Sequence, residues 1–210
     1  MRVIPGVEES ILLLRPEGCA ETAPALRVTA ARGLPLQVGA RVTVAGGTVS
    51  VTATDDGVNG VATEGTAITL SGGTLYVRAG GDGLDSNSRT AYAGIVISGG
   101  RAVIISTGGG DSAIDTEAGY RYTGGTVVAI GQAGGMSSES TTCSPDFSTV
   151  GRSASLRLTS GQYLSVGGLC EVTMPVALNA FVVCLGTTTA AIGTVSSLSG
   201  TPDGNGVVWL

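Results

Sequence analysis

The 210-residue chain contains no histidine, and its 11 basic residues are all arginine, since lysine is absent too. Without histidine, Ser-His-Asp and Cys-His catalysis, histidine-ligated zinc and imidazole acid–base chemistry are all excluded. Charged residues make up only 13% and the formal net charge is −5, a balance that does not suit neutralisation of a nucleic-acid backbone. Aromatic residues are scarce, at 4%. The four cysteines, Cys19, Cys143, Cys170 and Cys184, show no Cys-x-x-Cys spacing, which removes the usual zinc and thioredoxin-like readings. No apolar run is long enough to cross a bilayer, and Ile11–Leu14 is too short for a signal-peptide core, so membrane insertion is not expected. The lysine-free composition, rich in glycine and threonine, leans towards a secreted or cell-surface protein whose signal peptide is absent from this chain.

Glycine is abundant, at 35 residues, without a Gly-X-Y period, so collagen is excluded. The glycines recur instead as pairs at 46–47, 72–73, 99–100 and 124–125, a repeat of 25 to 27 residues. An alternating apolar segment precedes each pair: Val42 and Val44, Ile68 and Leu70, Ile95 and Ile97, Tyr120 and Tyr122. Another follows: Val49 and Val51, Leu75 and Val77, Ala102 and Ile104, Val127 and Ala129. Period-two alternation between glycines is the mark of half-buried strands. A repeat this short cannot bury its apolar face alone and must stack on its neighbours. The expected fold is all-β: a right-handed parallel β-helix over residues 23–136 with coils of 25–27 residues, and an N-terminal cap over 1–22. Leu26, Val28, Leu36 and Val38 alternate as one further coil at the front.

Outward positions after each glycine pair read Ser50 and Thr52, Tyr76 and Arg78, Val103 and Ile105, Val128 and Ile130. The last two pairs would expose aliphatic side chains at a cost of about 1.5–3 kcal/mol each, so this face needs a cover. A polar linker is read over 137–152, and an antiparallel β module over 153–210 that packs on the helix as its cap. That module is read as five short strands joined by hairpins. Such hairpins would set Cys170 and Cys184 opposite each other, as a disulfide or as buried thiols. Trp209, the single tryptophan, is read as an anchor for the C-terminus.

Six of the eight aspartates fall in recurring turns: Asp55-Asp56-Gly57-Val58-Asn59, Asp82-Gly83-Leu84-Asp85-Ser86-Asn87, and Asp111-Ser112-Ala113-Ile114-Asp115, the last with an inserted residue. Stacked at one coil period, these carboxylates would repel unless a cation lay among them. Calcium, which takes six to eight oxygen ligands, suits this donor set, with Asp55, Asp56, Asn59, Asp82, Asp85, Asn87, Asp111 and Asp115 as candidates. The alternative is that these side chains close their own turns by hydrogen bonds to the backbone.

Together with Leu70-Ser71-Gly72-Gly73-Thr74, Ile97-Ser98-Gly99-Gly100, Thr123-Gly124-Gly125-Thr126 and Ala133-Gly134-Gly135-Met136, these turns resemble a bacterial family of secreted carbohydrate-binding β-helix proteins. That resemblance implies a pectate-lyase-like fold, calcium in the acidic turns at Asp56, Asn59, Asp82, Asp85 and Asn87, and binding to cellulose or polygalacturonate-like polysaccharide. The inserted residue makes Asp111 and Asp115 depart from the pattern. Tyr76 and Arg78 are the expected carbohydrate contacts, the arginine meeting a sugar carboxylate through paired hydrogen bonds. No catalytic residue is assigned. A calcium-dependent lyase using Arg78, Arg89, Arg101 or Arg121 as base, and a structural adhesin, are the alternatives.

Overall fold

The computed structural model describes residues 41–60, 64–134 and 138–210, together with the backbone of two earlier strands, β1 (Ile11–Leu14) and β2 (Ala25–Ala30). Long strands β3 (Arg41–Ala53), β5 (Ile68–Ala79), β7 (Ile95–Ser106) and β9 (Tyr120–Gln132) alternate with short ones, β4 (Val58–Gly60), β6 (Leu84–Ser86) and β8 (Ile114–Thr116). Each long strand pairs in parallel with the next, as do β4, β6 and β8. Both β1 and β2 pair in parallel with β3. The chain is therefore a β-solenoid with parallel ladders on two sides. Cys19, Leu36, Val38 and Met136, and most of the expected N-terminal cap, lie outside the described residues.

Alternation in the sequence becomes the wall of the core. All sixteen inward positions named from the repeat, Val42 through Ala129, are buried in one cluster that also takes in Val58, Leu84 and Ile114 from the short strands. Tyr120 and Tyr122 belong to it, filling the last coil with ring volume. The glycine pairs bend each long strand and shift its register. Gly73 shows why the bend takes glycine. Its φ is +75°, and a Cβ there would stand 2.6 Å from the carbonyl carbon of Gly46 in the coil below, so both the backbone angle and the stacking distance exclude a side chain.

Residues 138–152, read as a linker, carry a 3-10 turn (Glu139–Thr141), strand β10 (Cys143–Ser144) and one turn of helix, α1 (Phe147–Val150). Strand β10 pairs in parallel with β9, adding a further rung to the stack. Polar composition hid this because Cys143 is all that β10 itself adds to the core cluster.

Beyond it come β11 (Gly151–Leu158), β12 (Tyr163–Val166), β13 (Cys170–Thr173), β14 (Leu178–Leu185), β15 (Ile192–Val195) and β16 (Val207–Trp209). These strands divide between two sheets. Antiparallel β14 joins β9 and carries β11 on its other side, extending the solenoid sheet. The other four form an antiparallel sheet in the order β15-β12-β13-β16. A second apolar cluster lies between the sheets, with Val103, Ile105, Val128 and Ile130 against Leu164, Val166, Cys170 and Val172. The aliphatic ladder is thus covered.

Strand β14 has both faces buried. Leu178, Ala180, Val182 and Cys184 enter the second cluster, whereas Val183 and Leu185 enter the first. The unbroken apolar run Phe181–Leu185 follows from that double burial. Its consequence for the cysteines is a correction. Cys170 pairs with Val166 and Trp209, and Cys184 with Val128 and Arg152, so successive β13 and β14 make no hairpin. Both thiols are free and fully buried. Burial pushes the Cys170 thiol up to about 12, leaving it without thiolate character at neutral pH.

Candidate functional site

The short-strand ladder positions the acidic turns. Pairing sets Val58, Leu84 and Ile114 in register pointing inward, and therefore Asn59, Asp85 and Asp115 in register on the opposite face. The residue before each motif glycine also stacks from coil to coil, because Gly57 N–H donates to Asp82 O at 2.8 Å and Gly83 N–H to Ser112 O at 2.9 Å.

These carboxylates reach beyond their own turns. Asp56 Oδ1 accepts from the backbone N–H of Asp82 at 3.0 Å, and Asp82 Oδ1 accepts from the N–H of Ser112 at 2.5 Å. Each aspartate thereby caps the next coil rather than its own. Between them the Asn59 amide donates to Asp56 Oδ2 at 3.0 Å and to Asp85 Oδ2 at 2.6 Å. Asp55 and Asn87 lie exposed at the margins, and Asp111 sits in the turn before β8.

A further acid joins from the stretch read as a linker. Ser140 Oγ takes the N–H of Ile114 and donates to its carbonyl, both at 3.1 Å, which places the 3-10 turn as the next rung after β8. Glu139 in that turn lies within reach of Asp115, which acts on its carboxyl group. The signal for it in the sequence was a single acid about one coil after Asp115.

Burial is the main cause that raises Asp82 to about 7, opposed by the Ser112 N–H and reinforced by Asp115, Asp111 and Asp56. Burial, then Asp56, Asp115 and Glu117, likewise push Asp85 to about 7. Glu139 rises to about 8 through burial, the action of Asp115 and the negative charges nearby. Asp111 is raised in the same sense. Every charged neighbour acting on Asp82, Asp85 and Glu139 is itself acidic. Two buried oxygens at this cluster, Asn59 Oδ1 and Glu139 Oε2, have no hydrogen-bond partner. Among the described residues no group of three or more carboxylates or thiols already converges as a metal centre. The donor set is nonetheless one of hard oxygens with surplus negative charge and unmet acceptors, the kind calcium takes.

The expected sugar contacts fare differently. Tyr76 is only 7% exposed and lies in the second apolar cluster, so its ring has no free face for a ligand. The C-terminal segment reaches over this part of the sheet, Ser50 Oγ donating to Asn205 Oδ1 at 2.7 Å, and Asp203 acts electrostatically on the Tyr76 phenol. Arg78 remains half-buried on the same strand. Nearby, the Arg101 guanidinium lies 4.5 Å above the Trp209 ring and its Nε donates to Thr74 Oγ1 at 3.0 Å. Trp209 is half-buried, and it packs against the second cluster. Arg101→Ala is expected to lower stability by about 0.5–1 kcal/mol, the range for an exposed cation–π pair. That is a fall of roughly 1–4 °C in Tm for a chain of this size. Unchanged melting and unchanged tryptophan emission would show that the pair contributes nothing.

No curated protein and no solved structure gives a significant match to this chain. A family described as carbohydrate-binding domain-containing proteins does match, over residues 23–193, which takes in the described repeats, the acidic ladder and most of the covering strands. On that match the chain belongs to the family of carbohydrate-binding domain-containing proteins.

Proposed function

We propose that this protein is an extracellular, calcium-stabilised binder of plant cell-wall or acidic polysaccharide that holds its ligand along the solenoid without cleaving it. The family match over residues 23–193 carries the carbohydrate reading. Calcium is supported by the cluster around Asn59, where an orphaned amide oxygen lies among carboxyl groups that burial and one another push towards neutrality. Asp56, Asn59, Asp82, Asp85, Asp115 and Glu139 would hold the ion, with Asp111, and with Asp55 and Asn87 reaching in from the margin. Bound there, calcium would supply positive charge to carboxyl groups on which, among the described residues, only acids act. The coils are read as right-handed, the hand that parallel crossovers adopt in nearly all cases.

A lyase of this architecture would need an arginine beside the cation to take a proton from the sugar. Among the described residues the charges that act on Asp82, Asp85 and Glu139 are those of acids, and Arg101 is engaged by Trp209 and Thr74. A binding role suits this arrangement better.

The test is retention. Purified protein should co-sediment with insoluble cellulose or be slowed in a native gel cast with polygalacturonate, more strongly with millimolar calcium than with chelator. No unsaturated uronide should be released. Retention by neither glycan would overturn the carbohydrate reading for this chain and bring a structural adhesin forward. Release of unsaturated uronide would establish the lyase.

A further inference from the structure

We propose that Tyr92 is the aromatic platform on which a pyranose ring of the bound polysaccharide stacks, a proposal that rests on the carbohydrate-binding reading above. With Tyr76, Tyr120 and Tyr122 committed to the cores, Tyr92 is the aromatic side chain left exposed among the described residues, at 40%. It is also the one non-glycine residue among them with positive φ, at +54°. A bulky residue in that region costs of order 1–3 kcal/mol, and such strain gathers at functional sites. Glycine or asparagine would serve the turn better, so the turn itself gives no reason for tyrosine here.

The ring is held in place. A Cβ on Gly119, in the following coil, would stand 2.8 Å from Tyr92 Cε1 and 2.9 Å from Cδ1, so the ring rests against bare glycine backbone. Tyr92 N–H donates to Ala118 O at 3.0 Å, and Ala93 N–H to Thr90 O at 3.1 Å. Thr90 Oγ1 in turn donates to Glu64 Oε2 at 2.9 Å and accepts from Gly65 N–H at 3.2 Å. The preceding and following coils therefore both grip the turn, so little ordering entropy is left to lose on binding.

The platform sits at the head of an open ladder. Thr43, Thr69, Val96 and Arg121 pair in register across successive coils, none of them buried. Rungs of such a ladder stand about 4.8 Å apart, close to the length of one sugar in an extended chain. Tyr92 lies just before β7 and its partner Gly119 just before β9, which puts the ring near the start of the two strands that carry Val96 and Arg121. Its electron-rich face suits the C–H face of a pyranose. Arg121, exposed on the rung that precedes Ser144, suits a hydroxyl or carboxylate further along.

The experiment compares wild type, Tyr92→Phe and Tyr92→Gly for binding to soluble cello-oligosaccharide and to polygalacturonate, alongside their melting curves. Glycine adopts positive φ freely, so Tyr92→Gly should melt no lower than wild type. It should lose about tenfold or more in affinity, as removal of one stacking ring does. Tyr92→Phe should stay within about twofold. Loss against either glycan supports the platform and identifies the sugar it takes. Wild-type affinity in a folded Tyr92→Gly variant would overturn the platform and leave the carbohydrate reading standing. A wild type that binds neither glycan would overturn both.

Discussion

In the absence of divalent cation, the melting temperature is expected to fall as pH rises from about 4 to about 8, and millimolar calcium is expected to reverse that fall. Asp82 and Asp85 titrate near 7 in the folded chain against an ordinary value of 3.8, and Glu139 near 8 against 4.5. Below the ordinary values both states are protonated and these groups are neutral in stability relative to each other. Between the ordinary and the raised values the folded chain holds protons that the unfolded chain has released, so stability falls with rising pH. Above about 8 all three charges are formed and the loss is complete. Each kcal/mol corresponds to roughly 2–4 °C in a chain of this size.

Calcium binds the deprotonated ladder and acts in the opposite direction. At about a hundredfold excess over Kd, binding stabilises the fold by about 2.7 kcal/mol, or roughly 5–11 °C. The double variant Asp82→Asn with Asp85→Asn keeps side-chain shape and removes both charges. Its melting temperature should fall much less across the same pH range, the remaining fall coming from Glu139, and should respond little to calcium. Scanning calorimetry at pH 5 and pH 8.5, with calcium and with chelator, measures all of this. Coincident curves for wild type with and without calcium would show that Asp56 and Asp82 serve only as caps on the next coil.

A larger loss is expected from one methyl group. Gly80→Ala would set a Cβ against the Thr54 carbonyl of the coil below, 2.7 Å from its carbon and in closer contact with its oxygen. All these atoms are backbone, and none can rotate away. The coil spacing is fixed at about 4.8 Å by the ladder hydrogen bonds, among them Gly80 N–H to Ala53 O at 3.1 Å and Asp55 O at 3.2 Å. Relief requires the stack to open, at the upper end of overpacking costs, about 3 kcal/mol or more, or roughly 6–12 °C. Gly109→Ala is the control. A Cβ at Gly109 meets nothing within 4 Å, so it should change stability by less than about 0.5 kcal/mol. Equal melting temperatures for the two variants would show that the coils at Thr54 and Gly80 are not stacked as described.

The solenoid was legible because its rule is local. Val42, Ile68, Ile95 and Tyr120 point inward for the same reason, alternation, and the glycine pairs mark the corner with no reference to distant residues. Tyr76 was misread because an outward position is exposed only if nothing covers it, and the cover comes from strands a hundred residues later. The same dependence on distant chain defeated the Cys170 and Cys184 hairpin. Turn residues between two strands do not say whether those strands pair or separate into facing sheets, and Pro175 lies in such a separation. Glu139 was missed because its rung is built by Ser140 and backbone, without the apolar alternation that marks the others. The acidic turns themselves stood out in the sequence, since stacking like charges has no structural motive by itself. That Asp56 and Asp82 cap the backbone of the following coil needed coordinates.

Strand β14 fits both cores at once, and this sets the order in which the protein can be completed. Coils of an open solenoid depend only on their neighbours and can assemble one after another as the chain is made. Here the edge of β9 over residues 127–132 stays bare until residues 178–185 arrive to pair with it, and the aliphatic side chains at Val128 and Ile130 stay wet until the facing sheet docks. Because β14 inserts side chains on both sides, its arrival joins the early coils and the late sheet into one cooperative unit. Interrupted synthesis, or a cut in the segment before Leu178, would therefore leave a chain whose repeats are intact and whose last strand templates aggregation.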